Sequence, residues 1–245
     1  MGLSRLSLSL KTASAMAKKA KDFDFNDFVR QLQDRKVEPA QVEVKQERRY
    51  FLIVSEGIRT EPIYFEFLSQ SLPRNLLKTI EVHGEGDNTV NVVRKAIELR
   101  NERKNNLLLP NYDEVWAVYD KDDFPNAHYH EAIDLAQRNG IESGHSNQSF
   151  ELWYVLHFQF LQTALHRDDY IHILNRELGF RYTKNSEAVV RHIQETGNVL
   201  RAIRWAEELE AVHEGQRPAD SCPETRVYEL VRRLRTYMNL DNSQL

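Results

Sequence analysis

Val115-Trp116-Ala117-Val118-Tyr119-Asp120-Lys121-Asp122-Asp123 carries a short apolar run directly into three carboxylates. A run of this length, rich in β-branched and aromatic residues, reads as a strand buried on both faces of a parallel sheet. A second run, Tyr50-Phe51-Leu52-Ile53-Val54-Ser55, ends in the same manner, in Glu56-Gly57. Ligands of open α/β sheets bind beyond the carboxyl ends of the strands, so two strand ends that both deliver acid point to one shared site.

Working outward from these two runs, helical and extended periodicities alternate. Thr60-Glu61-Pro62 opens a helix, with Pro at a first-turn position and Ile63, Tyr64, Phe67 and Leu68 as its apolar face. A short strand follows at 79–82, then the turn-rich segment His83–Asn88. A helix begins near Thr89, with Val92, Val93, Ala96, Ile97 and Leu99 on its buried side. Asn126–Asn139 is helical, with Ala132, Ile133, Leu135 and Ala136 apolar, and Gly140 stops it. Ile141–Ser146 reads as a fourth strand. The order β-α-β-α-β-α-β predicts an α/β fold, a mostly parallel sheet with flanking helices.

Beyond Asn147 only helical patterns remain, over 150–160, 170–178, 188–194, 199–213 and 226–238. Three regions are therefore expected: a flexible basic arm at 1–46 holding a short amphipathic helix over Phe23–Leu32, an α/β core at 47–148, and a helical C-terminal extension at 149–245 packed on that core. Residues 1–49 carry eleven Lys/Arg against seven Asp/Glu, whereas the remainder carries 22 against 30. A basic arm can meet phosphates, though a solvated terminus has the same composition. The acidic body is what a carboxylate site helps to produce.

Cys222 is the only cysteine, which removes a disulfide framework or a thiolate zinc site and fits a reducing, cytoplasmic compartment. No apolar run approaches the roughly 20 residues that cross a bilayer. Oligomeric state is not legible in the sequence.

Asp is common in turns, where it bonds to backbone amides, and this is the plain account of Asp120, Asp122 and Asp123. Paired with Glu56 on one sheet edge, the same acids make a site for a hard divalent ion, Mg2+ or Mn2+, because gathered carboxylates repel unless a cation joins them. Arg59 and Lys121 stand beside these acids as candidate phosphate contacts. Glu151 begins a strongly aromatic helix, where acid also suits the first turn. His157, on an apolar helical face, reads as a hydrogen-bonded core residue. His83-Gly84-Glu85-Gly86 lacks the glycine spacing of a phosphate-binding loop.

Four segments together resemble the RloB-like family, a Toprim-type group found in restriction and phage-defence loci of bacteria and archaea. They are Phe51–Gly57 with Thr60–Phe65, Val115–Phe124, Ser146–Trp153, and Pro223–Tyr228. The resemblance implies a Toprim-like core in which Glu56, Asp120 and Asp122 hold Mg2+ for phosphodiester chemistry, with Asp123 as a supporting neighbour and Glu151 in a family segment without an assigned role. It further implies a nuclease acting on nucleic acid, DNA in the first instance, and working with a partner ATPase. Two other readings stay open: a non-catalytic subunit that binds nucleic acid or the ATPase, and an Asp-nucleophile phosphatase built on Asp120-Lys121-Asp122.

Overall fold

A computed structural model of the chain describes residues 49–70, 80–84 and 89–237, with Arg30 ahead of them. The arm at 1–46 and the helix expected over Phe23–Leu32 otherwise lie outside the described residues, as do Thr79, Glu85–Asn88 and Met238. Twelve elements follow in order: β1 Phe51–Ser55, α1 Thr60–Ser69, β2 Ile80–Gly84, α2 Thr89–Asn105, β3 Glu114–Val118, α3 Asn126–Asn139, β4 Glu142–Ser143, α4 Glu151–Leu156, α5 Arg167–Leu178, α6 Glu187–Thr196, α7 Val199–Val212 and α8 Val227–Arg235.

The sheet runs β2-β1-β3-β4, parallel throughout, so the α/β expectation holds. Alternation along the strands divides the interior in two. Phe51, Ile53, Trp116 and Val118 face one side and pack with α1 and the helices from α4 onward. Leu52, Val54, Val115, Ala117 and Tyr119 face the other, against Val92, Val93 and Ala96 of α2 and Tyr129, Ala132 and Ala136 of α3. Both faces of β1 are buried, which is why its sequence shows a continuous apolar run rather than an alternation.

Gly140 ends α3 in the left-handed conformation, φ 62°, the role its position predicts. The fourth strand is shorter than the 141–146 expected. Only Glu142–Ser143 joins the ladder, although Gly144 N–H still donates to Ala117 O (2.8 Å) and Ser146 N–H to Tyr119 O (3.0 Å). Ser146 bridges Asp120 on one side and Thr225 on the other, so the chain leaves the regular ladder to meet the segment before α8. Helix α4 is also shorter than 150–160. It stops at Leu156, and the turn between α6 and α7 closes on its end, with Asn198 N–H donating to His157 O at 2.8 Å.

Among the described residues no helix is long and apolar enough to cross a membrane. Ile53 is fully buried in the middle of β1, between two neighbouring strands. Ile53→Ala is expected to lower the unfolding free energy by about 2–5 kcal/mol, read as a reduced urea midpoint with unchanged slope.

Candidate active site

The chain moves from β1 outward to β2 and then returns to the opposite side of β1 as β3. Connections therefore diverge to the two faces at the carboxyl ends of β1 and β3, the switch point where α/β sheets open a crevice. Ser55 pairs with Val118 across this seam, and Glu56 N–H donates to Val118 O at 2.9 Å. Register alone thus sets Glu56 beside Asp120. Glu56 Oε2 accepts the Asp120 N–H at 3.0 Å.

A cavity of about 180 Å³ lies there, lined by Glu56, Gly57, Thr60, Glu61, Asp120, Asp122, Phe150, Glu151, Lys184 and Asn185. Of the acids expected from the sequence, Glu56, Asp120, Asp122 and Glu151 line it. Asp123 does not; it is exposed and paired with Arg167, which also holds Asp122 Oδ1 at 2.8 Å. Arg59 and Lys121 are not among the lining residues either. His157 is buried elsewhere, its Nδ1 2.9 Å from Trp153 O, and burial lowers its pKa to about 4. This is the core histidine that its apolar surroundings imply.

Two residues enter the site that sequence reasoning did not select. Glu61, in the first turn of α1, is only 5% exposed. Its carboxylate folds back over Gly57 so closely that a Cβ there would stand 1.9 Å from Glu61 Oε2. Only glycine permits that approach. Lys184, on the loop between α5 and α6, reaches Glu151 Oε1 at 3.3 Å, and Tyr182 donates its hydroxyl to the same oxygen at 3.0 Å. The neighbouring Asn185 pins this loop to the start of α1, accepting from Thr60 Oγ1 at 2.9 Å and donating its N–H back at 3.3 Å. A glutamate opening a helix and a lysine in a loop carry no periodic signal that would reveal these placements.

The acids are crowded and poorly compensated. Asp120 Oδ2 accepts the Phe150 N–H at 3.0 Å, whereas among the described residues Asp120 Oδ1 is buried without a hydrogen-bond partner, as is Glu61 Oε2. Burial, then the charges of Glu61, Glu151, Glu56 and Asp122, push the Asp120 pKa well above the carboxylate range. Burial foremost, offset in part by its own backbone amide, raises Glu61 to about 7. Among the described residues no three His, Cys, Asp or Glu side chains form a ready metal cage. One oxygen each of Glu56, Asp120, Asp122 and Glu151 is turned onto an N–H donor, namely Asp120 N, Phe150 N, Arg167 and Lys184 respectively.

Asp122 lies at φ 44° and Gln148 at φ 82°, and Asp122 N–H donates to Gln148 O at 3.1 Å. Left-handed non-glycine residues cost about 1–3 kcal/mol each, and such outliers gather where function requires them.

Because Glu61 holds its proton more tightly folded (about 7) than unfolded (4.5), its contribution is fully present below pH 4.5 and is lost as pH rises through 7. In EDTA, the chain is expected to lose on the order of 3 kcal/mol from this group across that window. Glu61→Gln should flatten the dependence, and urea unfolding between pH 4.5 and 8 checks it. Gly57→Ala should displace the Glu61 carboxylate and produce the same flattening while leaving β1 paired.

A family model described as RloB-like protein matches residues 51–234. No curated protein and no solved structure matches the chain. The matched span runs from the first residue of β1 to the last turn of α8 and takes in every residue that lines the carboxylate cavity. The chain belongs to the RloB-like family.

Proposed function

We propose that the chain is a divalent-metal-dependent nuclease, hydrolysing phosphodiester bonds of nucleic acid, DNA foremost, in phage defence or restriction together with a partner ATPase. One observation carries the reading: two buried acid oxygens without donors, Asp120 Oδ1 and Glu61 Oε2, line the same cavity as Glu56 at the sheet's switch point. Burial and mutual repulsion raise the pKa of Asp120 and of Glu61, and a bound cation is the usual way to relieve such crowding. The donor set is oxygen only, which fits Mg2+ or Mn2+ and not zinc. Glu56, Asp120 and Asp122 would hold the ion, with Glu61 and Glu151 lining the same cavity. Once bound, it would neutralise phosphate charge and acidify water.

The chain's own groups supply the remainder. Glu56 is oriented by the Asp120 amide, and Arg167 fixes Asp122. Glu61 lines the same cavity and would take the proton of an attacking water or return one to the departing oxygen. Lys184, rather than Arg59 or Lys121, is the cation that lines the cavity, and it is placed to meet a phosphate oxygen. An Asp-nucleophile phosphatase would leave Glu56 and Glu61 without work.

The test is cleavage of plasmid, linear duplex, single-stranded DNA and RNA, with Mg2+ or Mn2+, with and without the neighbouring ATPase. Asp120→Asn and Glu61→Gln should each lower kcat about a hundredfold or more. Lys184→Ala should act mainly on KM, and Asp123→Ala should stay within about threefold of the parent. Cleavage that survives Asp120→Asn would remove the site from this cavity. An intact complex with ATPase or nucleic acid that cuts nothing would favour the binding-subunit reading.

A further inference from the structure

Two exposed stretches border the carboxylate cavity. Ile58 and Arg59 are exposed, Ile58 by 68%, and they lie between Gly57 and Thr60, which line it. The second stretch is 179–186, between α5 and α6, which supplies Lys184 and Asn185 to the lining. Asn185 and Thr60 join the two through their hydrogen bonds. Together these stretches carry Arg59, Arg181 and Lys184 and no acid. A cavity that gathers carboxylates is thereby given a cationic rim, the sign that draws phosphate.

Phe180 stands in the second stretch with 41% of its surface exposed. The backbone on either side of it is pinned. Gly179 precedes it at φ 73°, ending α5 in the left-handed conformation. Tyr182 follows it into the interior, its N–H donating to Asn175 Oδ1 at 2.6 Å and its hydroxyl to Glu151 Oε1 at 3.0 Å. The Phe180 ring meets His192 of α6 in a T-shaped contact, with centroids 5.2 Å apart. An aromatic surface held this way is ordered before any ligand arrives, so little further entropy is lost on binding. Phe180 and Lys184 are four residues apart, a reach of at most about 14 Å.

The acids themselves are recessed. Glu61 and Glu151 are 5% and 3% exposed, in a cavity of about 180 Å³. A phosphate that enters must leave its neighbours behind, which the freely rotating backbone of a single strand permits and a stacked, paired duplex resists. Exposed aromatic rings select in the same direction, because every unpaired base has a face to stack, whereas bases inside a duplex already stack on one another.

We propose that the 180–184 edge of the cavity holds single-stranded nucleic acid, with an unpaired base stacked on Phe180 and the cations Arg181 and Lys184 on the phosphates beside it. The assignment rests on the nuclease reading of the cavity and narrows its substrate to an unpaired segment. Phe180 thereby determines specificity without touching the reacting atoms, and Lys184 links the base platform to the acids.

The test is fluorescence anisotropy of the full chain with a labelled oligodeoxynucleotide of about twelve nucleotides, alone and annealed to its complement, with Ca2+ in place of Mg2+. The single strand should bind about tenfold or more tightly than the duplex. Phe180→Leu keeps apolar bulk against His192 but removes the aromatic face, and it should weaken the single strand about tenfold, whereas Phe180→Tyr should bind as the parent does. Arg181→Ala should weaken the single strand and lower its salt slope by about one. Equal affinity for strand and duplex overturns the proposal, as does a Phe180→Leu chain that binds the strand like the parent. The nuclease reading is scored separately, by Mg2+-dependent cleavage and its loss in Asp120→Asn. Cleavage that obeys Asp120 while Phe180→Leu binds and cuts like the parent removes the stacking assignment alone. Strand binding that follows Phe180 without cleavage under any condition removes the nuclease reading and leaves the strand-binding edge in place.

Discussion

The parallel pairing of β1 with β3 is the constraint on which the rest of the structure depends. It joins segments more than sixty residues apart in sequence, and its register, Ser55 opposite Val118, decides which side chains leave the sheet together. A slip of one residue would exchange the two faces of the strand. Phe51 and Ile53 would then turn toward α2 and α3, and Glu56 would lose the Asp120 amide. Core packing and acid placement are consequently one decision, enforced by the five fully or almost fully buried residues of β1.

What could be read in advance follows from this coupling. Strands buried on both faces write themselves as apolar runs, so β1, β3 and the acids at their ends are visible in a single sequence. Helix α3 is equally legible, with its apolar spacing and Gly140 at the end. Glu61 is not, because a glutamate in a first turn is ordinary in any helix. Its difference arises from a fold-back over Gly57 that only the tertiary structure shows. Lys184 and Asn185 arrive from a loop that owes its position to Thr60, a contact without a sequence period. The fourth strand is half legible, since regular pairing covers Glu142–Ser143 and Ser146 returns only as an isolated bridge to Asp120.

The carboxylate cavity works against the stability of the chain that builds it. Buried acid oxygens without donors are costly, and a paired arrangement would be favoured on energetic grounds alone. Asp122 adds backbone strain at the same place. The fold tolerates these terms because two separate hydrophobic clusters lie against opposite faces of the sheet. A local conflict of this sort, in a molecule otherwise consistent from strand pattern to helix stop, is characteristic of residues retained for chemistry rather than for folding.

Ser146 has a bearing on the order in which the molecule comes into being. It bridges Asp120 on one side and Thr225 on the other, so the backbone of Asp120 is backed by a segment near the C-terminal end of the family span, a segment that does not itself line the cavity. Contacts of such long sequence separation form late, after the loop they enclose has been ordered. During synthesis, the strands and the first helices can emerge and pair while that backing is still missing. The lining of the cavity ends at Asn185, so the acids can gather before the bridge from Ser146 to Thr225 closes, and the backing of Asp120 is a later step than the cavity itself.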